Sequence, residues 1–169
     1  MWVHRQLATL LRPDDVLSFD GGDFCDFGRG VIPATGPASW YYLPHFGLLG
    51  PSLPAAMGAK VAEPERRCIC VIGDGGFGFN AMELETAVRE RIPVVVILGN
   101  DSCWGIDAGI QLEVYGREVV VDLSPNVRYD LTATSLGAHG EYVTRGDELL
   151  PALQRAFAAA DAGKPALVN

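Results

Sequence analysis

Positive charge is scarce in this sequence. Its 169 residues carry 13 Lys and Arg against 21 Asp and Glu, a formal net charge of −8. A phosphate backbone recruits Lys and Arg, so this balance argues against a nucleic-acid-binding surface. A small anionic ligand would need a cation or backbone amides to supply the positive field. Cysteine is sparse as well: the four residues, Cys25, Cys68, Cys70 and Cys103, show neither CxxC nor zinc-finger spacing. They read as free thiols in a reducing, cytoplasmic setting. Long apolar runs are missing. The longest spans Ile92 to Leu98, which is strand length, so neither a transmembrane segment nor a signal peptide is visible. There is no internal repeat and no low-complexity tract.

What is present describes an ordinary globular chain: 49% hydrophobic residues, 20 Gly and 11 Pro. The length predicts one domain over residues 1–169. Both ends look cut. The helix-like Gln6–Leu11 begins almost at once, and Pro165–Asn169 stops inside a strand pattern, so a fragment or a subunit of a larger enzyme is the expectation.

Val16–Phe19 reads as a first strand after the turn signal Arg12-Pro13-Asp14-Asp15. Residues 20 to 52 are rich in Gly, Pro and aromatics, and read as a long functional connection with about one helical turn. Leu53–Val61 reads as a small-residue helix. Cys68–Ile72 is a strand with Cys68 and Cys70 on one side. Ala81–Arg91 is an amphipathic helix with Met82, Leu84, Ala87 and Val88 on its apolar face, and Val94–Leu98 is a second buried strand. A helix at Leu131–Leu136, a strand at Glu141–Thr144, a helix capped by Asp147 and running through Ala160, and a strand at Ala166–Val168 complete the pattern. Strands that alternate with helices and are apolar on both faces predict an α/β fold, a doubly wound and mostly parallel sheet with helices on both faces. In such sheets ligands sit beyond the carboxyl ends of the strands, at the switch point.

Two polar loops lie at those ends. Gly73-Asp74-Gly75-Gly76-Phe77-Gly78 follows a strand and precedes a helix, offering unpaired amides and a helix amino terminus to an anion. On glycines alone this is equally a tight strand-to-helix turn. Asp74 alters the reading, because a carboxylate among anion-binding amides repels a diphosphate unless a metal lies between them. Magnesium takes hard oxygen ligands and shares them with phosphates. Asp101 follows Asp74 by 27 positions, one helix and one strand later, and such a crossover returns the chain to the same sheet edge. The bend after Asp101 can expose the Cys103 carbonyl as a third ligand.

These residues also carry a family resemblance. Gly73-Asp74-Gly75, the helix containing Met82-Glu83-Leu84-Glu85-Thr86-Ala87-Val88, Pro93, an apolar strand and Asn100-Asp101 resemble the thiamine-diphosphate motif of the pyruvate decarboxylase and acetolactate synthase superfamily. Upstream, Phe46-Gly47-Leu48-Leu49-Gly50 and Leu53–Ala59 resemble the segment under the cofactor. Asp20-Gly21-Gly22-Asp23 and Asp26-Phe27-Gly28-Arg29 look closest to 2-hydroxyacyl-CoA lyases and oxalyl-CoA decarboxylases. The resemblance covers residues 5 to 169 and implies thiamine diphosphate and Mg2+ as cofactors. It implies that Asp74, the Asp101 side chain and the Cys103 carbonyl hold the metal. The amides of Gly75, Gly76 and Phe77, after Gly73, would hold the diphosphate. Leu49 would prop the bent cofactor, and the backbone near Gly47 would accept from its aminopyrimidine amine. Leu48, Trp104, Gly105 and Ile106 join the cofactor-binding set. At the position of Asp101 the family more often has Asn; aspartate ligates magnesium equally well and adds negative charge.

The resemblance further implies a companion pyrimidine-binding domain or subunit whose glutamate starts ylid formation. Nothing in this sequence resembles it, so no catalytic residue is assigned in the chain. Glu83 and Glu85 read as helix-surface or packing carboxylates. His45 could touch substrate or bond to backbone, and His139 reads as structural. Trp40, Tyr41 and Tyr42 suit either a partner domain or the core. The leading reading is the cofactor-binding domain of a lyase, decarboxylase or carboligase for 2-keto acids or 2-hydroxyacyl-CoA, working in a homo- or hetero-oligomer. Two alternatives stand beside it: one chain of a split two-subunit decarboxylase, and a non-catalytic assembly module. Retention of both Asp74 and Asp101 weighs against the module. Gly73-Asp74-Gly75-Gly76-Phe77-Gly78 fits the glycine spacing of a Rossmann dinucleotide binder, but its acidic residue sits inside the turn rather than a strand later, which weighs against that reading.

Overall fold

The computed structural model describes residues 1–42 and 47–169. Among the described residues, six strands form one wholly parallel sheet: β1 (Val16–Phe19), β2 (Trp40–Tyr41), β3 (Cys68–Gly73), β4 (Val94–Gly99), β5 (His139–Glu141) and β6 (Ala166–Val168). Their spatial order is β2-β1-β3-β4-β6-β5. The chain winds outward from β1 to one edge and then returns beside it as β3 to build the other half. The switch point therefore lies between the carboxyl ends of β1 and β3, where Phe19 pairs with Val71.

The central strands are β-branched and apolar because both their faces are covered. Ile69, Val71, Val95 and Ile97 face one layer, with Leu7, Leu153 and Phe157. Cys68, Cys70, Ile72, Val94, Val96 and Leu98 face the other, with Leu53, Phe77 and Leu84. The first layer holds α1 (Trp2–Ala8), α2 (Asp23–Arg29) and α8 (Gly146–Asp161). The second holds α3 (Ser52–Ala62), α4 (Asp74–Asn80), α5 (Glu83–Arg89) and α7 (Tyr129–Ser135). The remaining helix, α6 (Gly105–Tyr115), follows β4 and buries only Ala108. Among the described residues, no helix is long and apolar enough to cross a membrane.

Several boundaries depart from the sequence reading. Helix α1 begins at Trp2 and stops at Ala8, because the Thr9 hydroxyl donates to the Gln6 carbonyl at 2.7 Å and closes the last turn. The connection over 20–52 contains two elements: α2, and the edge strand β2 paired with β1. Met82 is exposed and precedes α5, and Arg91 sits at φ 56°, beyond its end. Helix α7 starts at Tyr129, two residues earlier than its apolar pattern suggests. Strand β5 is His139–Glu141, not 141–144, because β6 offers only Ala166–Val168 to pair with. Asp147 lies inside α8; the N-cap is Arg145, and the Glu148 carboxylate reaches back to accept from the Thr144 and Arg145 amides at 3.3 Å.

Candidate functional site

A cavity of about 570 Å³ opens at the carboxyl edge of the sheet, over the switch point. Strands β3 and β4 end in register, Gly73 against Gly99, so the residues that follow them emerge side by side. Asp74 is the first residue of α4 and only 3% exposed. Gly73-Asp74-Gly75-Gly76 is thus a strand end and a helical first turn, with no loop between them. The Asp74 carboxylate accepts from the Gly75 amide at 3.0 Å and, across the strands, from the Ser102 amide at 2.9 Å.

The second half of the site turns on Ser102, a non-glycine residue at φ 59°. That left-handed residue reverses the chain after Asn100-Asp101. The Asp101 carboxylate accepts from the Cys103 amide at 3.2 Å. The Trp104 amide donates to the Val121 carbonyl, and the Leu123 amide donates to the Ser102 carbonyl, both at 2.8 Å. Those two bonds flank the bridge between Cys103 and Asp122. In that pattern the Cys103 carbonyl takes no part in the ladder and points away from it.

Every candidate except Phe77 lines the cavity: Gly73, Asp74, Gly75 and Gly76 from β3 and α4, Gly47, Leu48 and Leu49 from the segment before α3, and Asp101, Cys103, Trp104, Gly105 and Ile106 from beyond β4. Phe77 belongs to the core, its ring edge-on to Tyr129 at 5.5 Å. Gly75 and Gly76, in the first turn of α4, are the positions that present backbone to the cavity. Trp104 fixes Gly75: a Cβ there would sit 2.5 Å from the indole ring. His45 and Phe46 lie outside the described residues. Glu83 and Glu85 lie on α5, away from the cavity wall, and His139 pairs with Glu141 at 2.7 Å.

The electrostatics are one-sided. Among the described residues, the walls carry Asp23, Asp26, Asp74, Asp101 and Asp107 and no lysine or arginine. Burial pushes the Asp74 carboxyl above its ordinary pKa; the Gly75 amide opposes this and the Asp101 charge adds to it. A cation between the two carboxylates would relieve both burial and repulsion. Among the described residues no three His, Cys, Asp or Glu side chains converge. Two carboxylates and a carbonyl, completed by non-protein oxygens, suit magnesium and exclude a closed zinc site. The Cys103 thiol is raised by burial and then by Asp101, so its carbonyl is the better ligand.

Sequence reading assigns no cofactor contact to Asp23, Phe24, Asn100 or Asp107, which also stand in the wall; Asn100 is singled out there only with Asp101. Asp23 belongs to a motif already singled out, whereas nothing marked Phe24, whose ring lies 2.5 Å from where a Gly99 Cβ would be.

Comparison with known proteins agrees with this geometry. Residues 20–169 match the family described as thiamine pyrophosphate enzyme, C-terminal TPP binding domain. The chain is 41% identical over its whole length to a probable acetolactate synthase of Mycobacterium bovis, covering 30% of that protein. It is 38% identical over 168 residues to 2-hydroxyacyl-CoA lyase 2 of Caenorhabditis elegans, covering 98% of the chain and 26% of the relative. A sulfoacetaldehyde acetyltransferase of Alcaligenes xylosoxydans is 32% identical over 155 residues, 92% of the chain and 26% of the relative. The chain thus spans less than a third of the length of these relatives, and it belongs to the thiamine pyrophosphate enzymes as their C-terminal, cofactor-binding domain.

Proposed function

We propose that this chain is the diphosphate- and magnesium-binding half of a thiamine-diphosphate-dependent lyase or carboligase. One observation carries the reading: Asp74 and Asp101 meet at the ends of adjacent strands, beside glycine backbone, in a cavity at the switch point. Asp74, the Asp101 side chain and the Cys103 carbonyl hold magnesium. The Gly75 and Gly76 backbone and the metal together hold the diphosphate. Leu49, Trp104 and Ile106 line the cavity and exclude water from the ring end. When bound, the cofactor supplies addition to a carbonyl and an electron sink for the bond beside it. The substrate class is a 2-keto acid or a 2-hydroxyacyl thioester, and the glutamate that activates the aminopyrimidine comes from a companion domain or subunit.

The test is calorimetric titration with thiamine diphosphate, with and without magnesium. Wild type binds only with the metal. Asp74→Ala and Asp101→Ala each abolish the metal-dependent heat, and unchanged binding in both sinks the assignment.

A further inference from the structure

Asp20 does not line the cavity, yet it is the most heavily bonded carboxylate near it. It stands one residue past β1 and is 1% exposed. Its Oδ1 accepts from the Gly50 amide at 2.9 Å and the Gly21 amide at 3.0 Å. Its Oδ2 accepts from the Gly50 amide at 3.0 Å and the Ser52 amide at 3.1 Å. All these partners are N–H donors, the set an acceptor-only group satisfies. From the other side the Asn80 amide donates to the Gly50 carbonyl at 2.9 Å. The Gly50 peptide is therefore gripped between the end of β1 and the end of α4, at φ 95°, where a side chain would be strained.

Gly21 adds a seat to this pin. A Cβ there would lie 2.6 Å from Cδ2 of Leu49, so the leucine side chain occupies the space that the glycine leaves open. We infer that Asp20 and Gly21 are positioning residues: Asp20 fixes the backbone of the Gly47–Gly50 segment, Gly21 sets the place of Leu49, and together they shape the ring end of the cofactor cavity without touching the ligand. The inference rests on the proposed function. It also has a rival, because Asp20 Oδ1 lies 2.9 Å from where a Gly76 Cβ would be and so adjoins the diphosphate end too.

Two probes separate the ends. Magnesium with inorganic diphosphate reports the α4 end alone; magnesium with thiamine diphosphate reports both. The isosteric Asp20→Asn turns an acceptor into a donor facing donors. In the 169-residue chain it should weaken thiamine diphosphate binding about tenfold or more, while inorganic diphosphate stays within about twofold. Amide hydrogen exchange at Gly50 and Ser52 should quicken in the same variant. Gly21→Ala, which displaces the tip of Leu49, should show the same ligand-selective loss with exchange at Gly50 and Ser52 unaltered. Equal loss of both ligands, or unaltered exchange in Asp20→Asn, overturns the inference. If wild type binds neither probe with magnesium, the reading of the site falls instead, and the exchange arm still decides whether Asp20 pins the segment.

Discussion

A buried charge shows its dependence on its partner most plainly at Asp15, far from the cavity. Its side chain is 1% exposed. Arg67 donates from Nε to Oδ1 at 2.8 Å and from Nη2 to Oδ2 at 2.5 Å, while its Nη2 also reaches the Leu10 carbonyl. The guanidinium lies over the Phe157 ring at 4.4 Å, tying the start of β1 to α8. Arg67→Met leaves the carboxylate buried without a counter-charge, and the expected cost is about 3–5 kcal/mol. Urea unfolding measures it as a lower midpoint at unchanged slope, and Asp15→Asn added to Arg67→Met should restore part of the loss. This pair was not legible in the sequence, because its residues stand 52 positions apart and Asp15 read only as the end of a turn signal. Asp74 and Asp101 were legible because each lies within two residues of a strand end, and parallel topology brings both into one cavity wall. Phe77 is buried in the core and outside the cavity wall, a placement the glycine run around it did not announce.

At the scale of elements, strands buried on both faces announced themselves and helices with little buried surface did not. In α6 only Ala108 is buried, so no apolar stripe marks it. In α2 the buried residues are Cys25 and Gly28, too small to read as a face. The contact of α2 with α1 carries a pH dependence. His4 of α1 is 1% exposed, its ring centroid 4.5 Å from that of Phe24, with its Nε2 3.0 Å from where a Gly28 Cβ would be. Neither ring nitrogen has a hydrogen-bond partner among the described residues. Burial pushes its pKa down to about 4. The folded chain therefore holds the imidazole neutral, while the unfolded chain protonates it near the ordinary value of about 6.5. Stability from this residue is constant above about pH 6.5, falls as pH drops from there toward about 4, and is level again below. The span is worth about 3 kcal/mol. Other carboxylates titrate at the acid end, so the measurement is the difference between wild type and His4→Leu. The variant should match or exceed wild type at pH 8, since it removes two unsatisfied polar atoms, and its advantage should grow between pH 6.5 and 4. A constant difference across that range would show that His4 is not the titrating group.

The whole molecule presents its cavity at an open, partly apolar edge. Leu48 in the wall is 53% exposed, and Phe79, whose ring tilts against Trp104, is 63% exposed. Large apolar side chains clustered at the mouth of a ligand cavity are the usual mark of a surface that another protein covers. The walls themselves supply hard oxygens and backbone for an anion, and among the described residues they carry no glutamate, histidine or lysine. On the proposed function, binding and proton transfer are divided between two bodies, and holding the cofactor is not sufficient for turnover. The expected behaviour follows from that division. With saturating magnesium and thiamine diphosphate, the purified chain should consume neither pyruvate nor a 2-hydroxyacyl thioester at a rate above the cofactor alone. Addition of a polypeptide carrying the pyrimidine-binding domain should bring turnover. A variant of that polypeptide with its glutamate changed to glutamine should still dock, seen as a mass shift in sedimentation, and yet give no turnover. Brisk turnover by the purified chain alone would mean that the chain supplies its own base, and the division proposed here would be wrong.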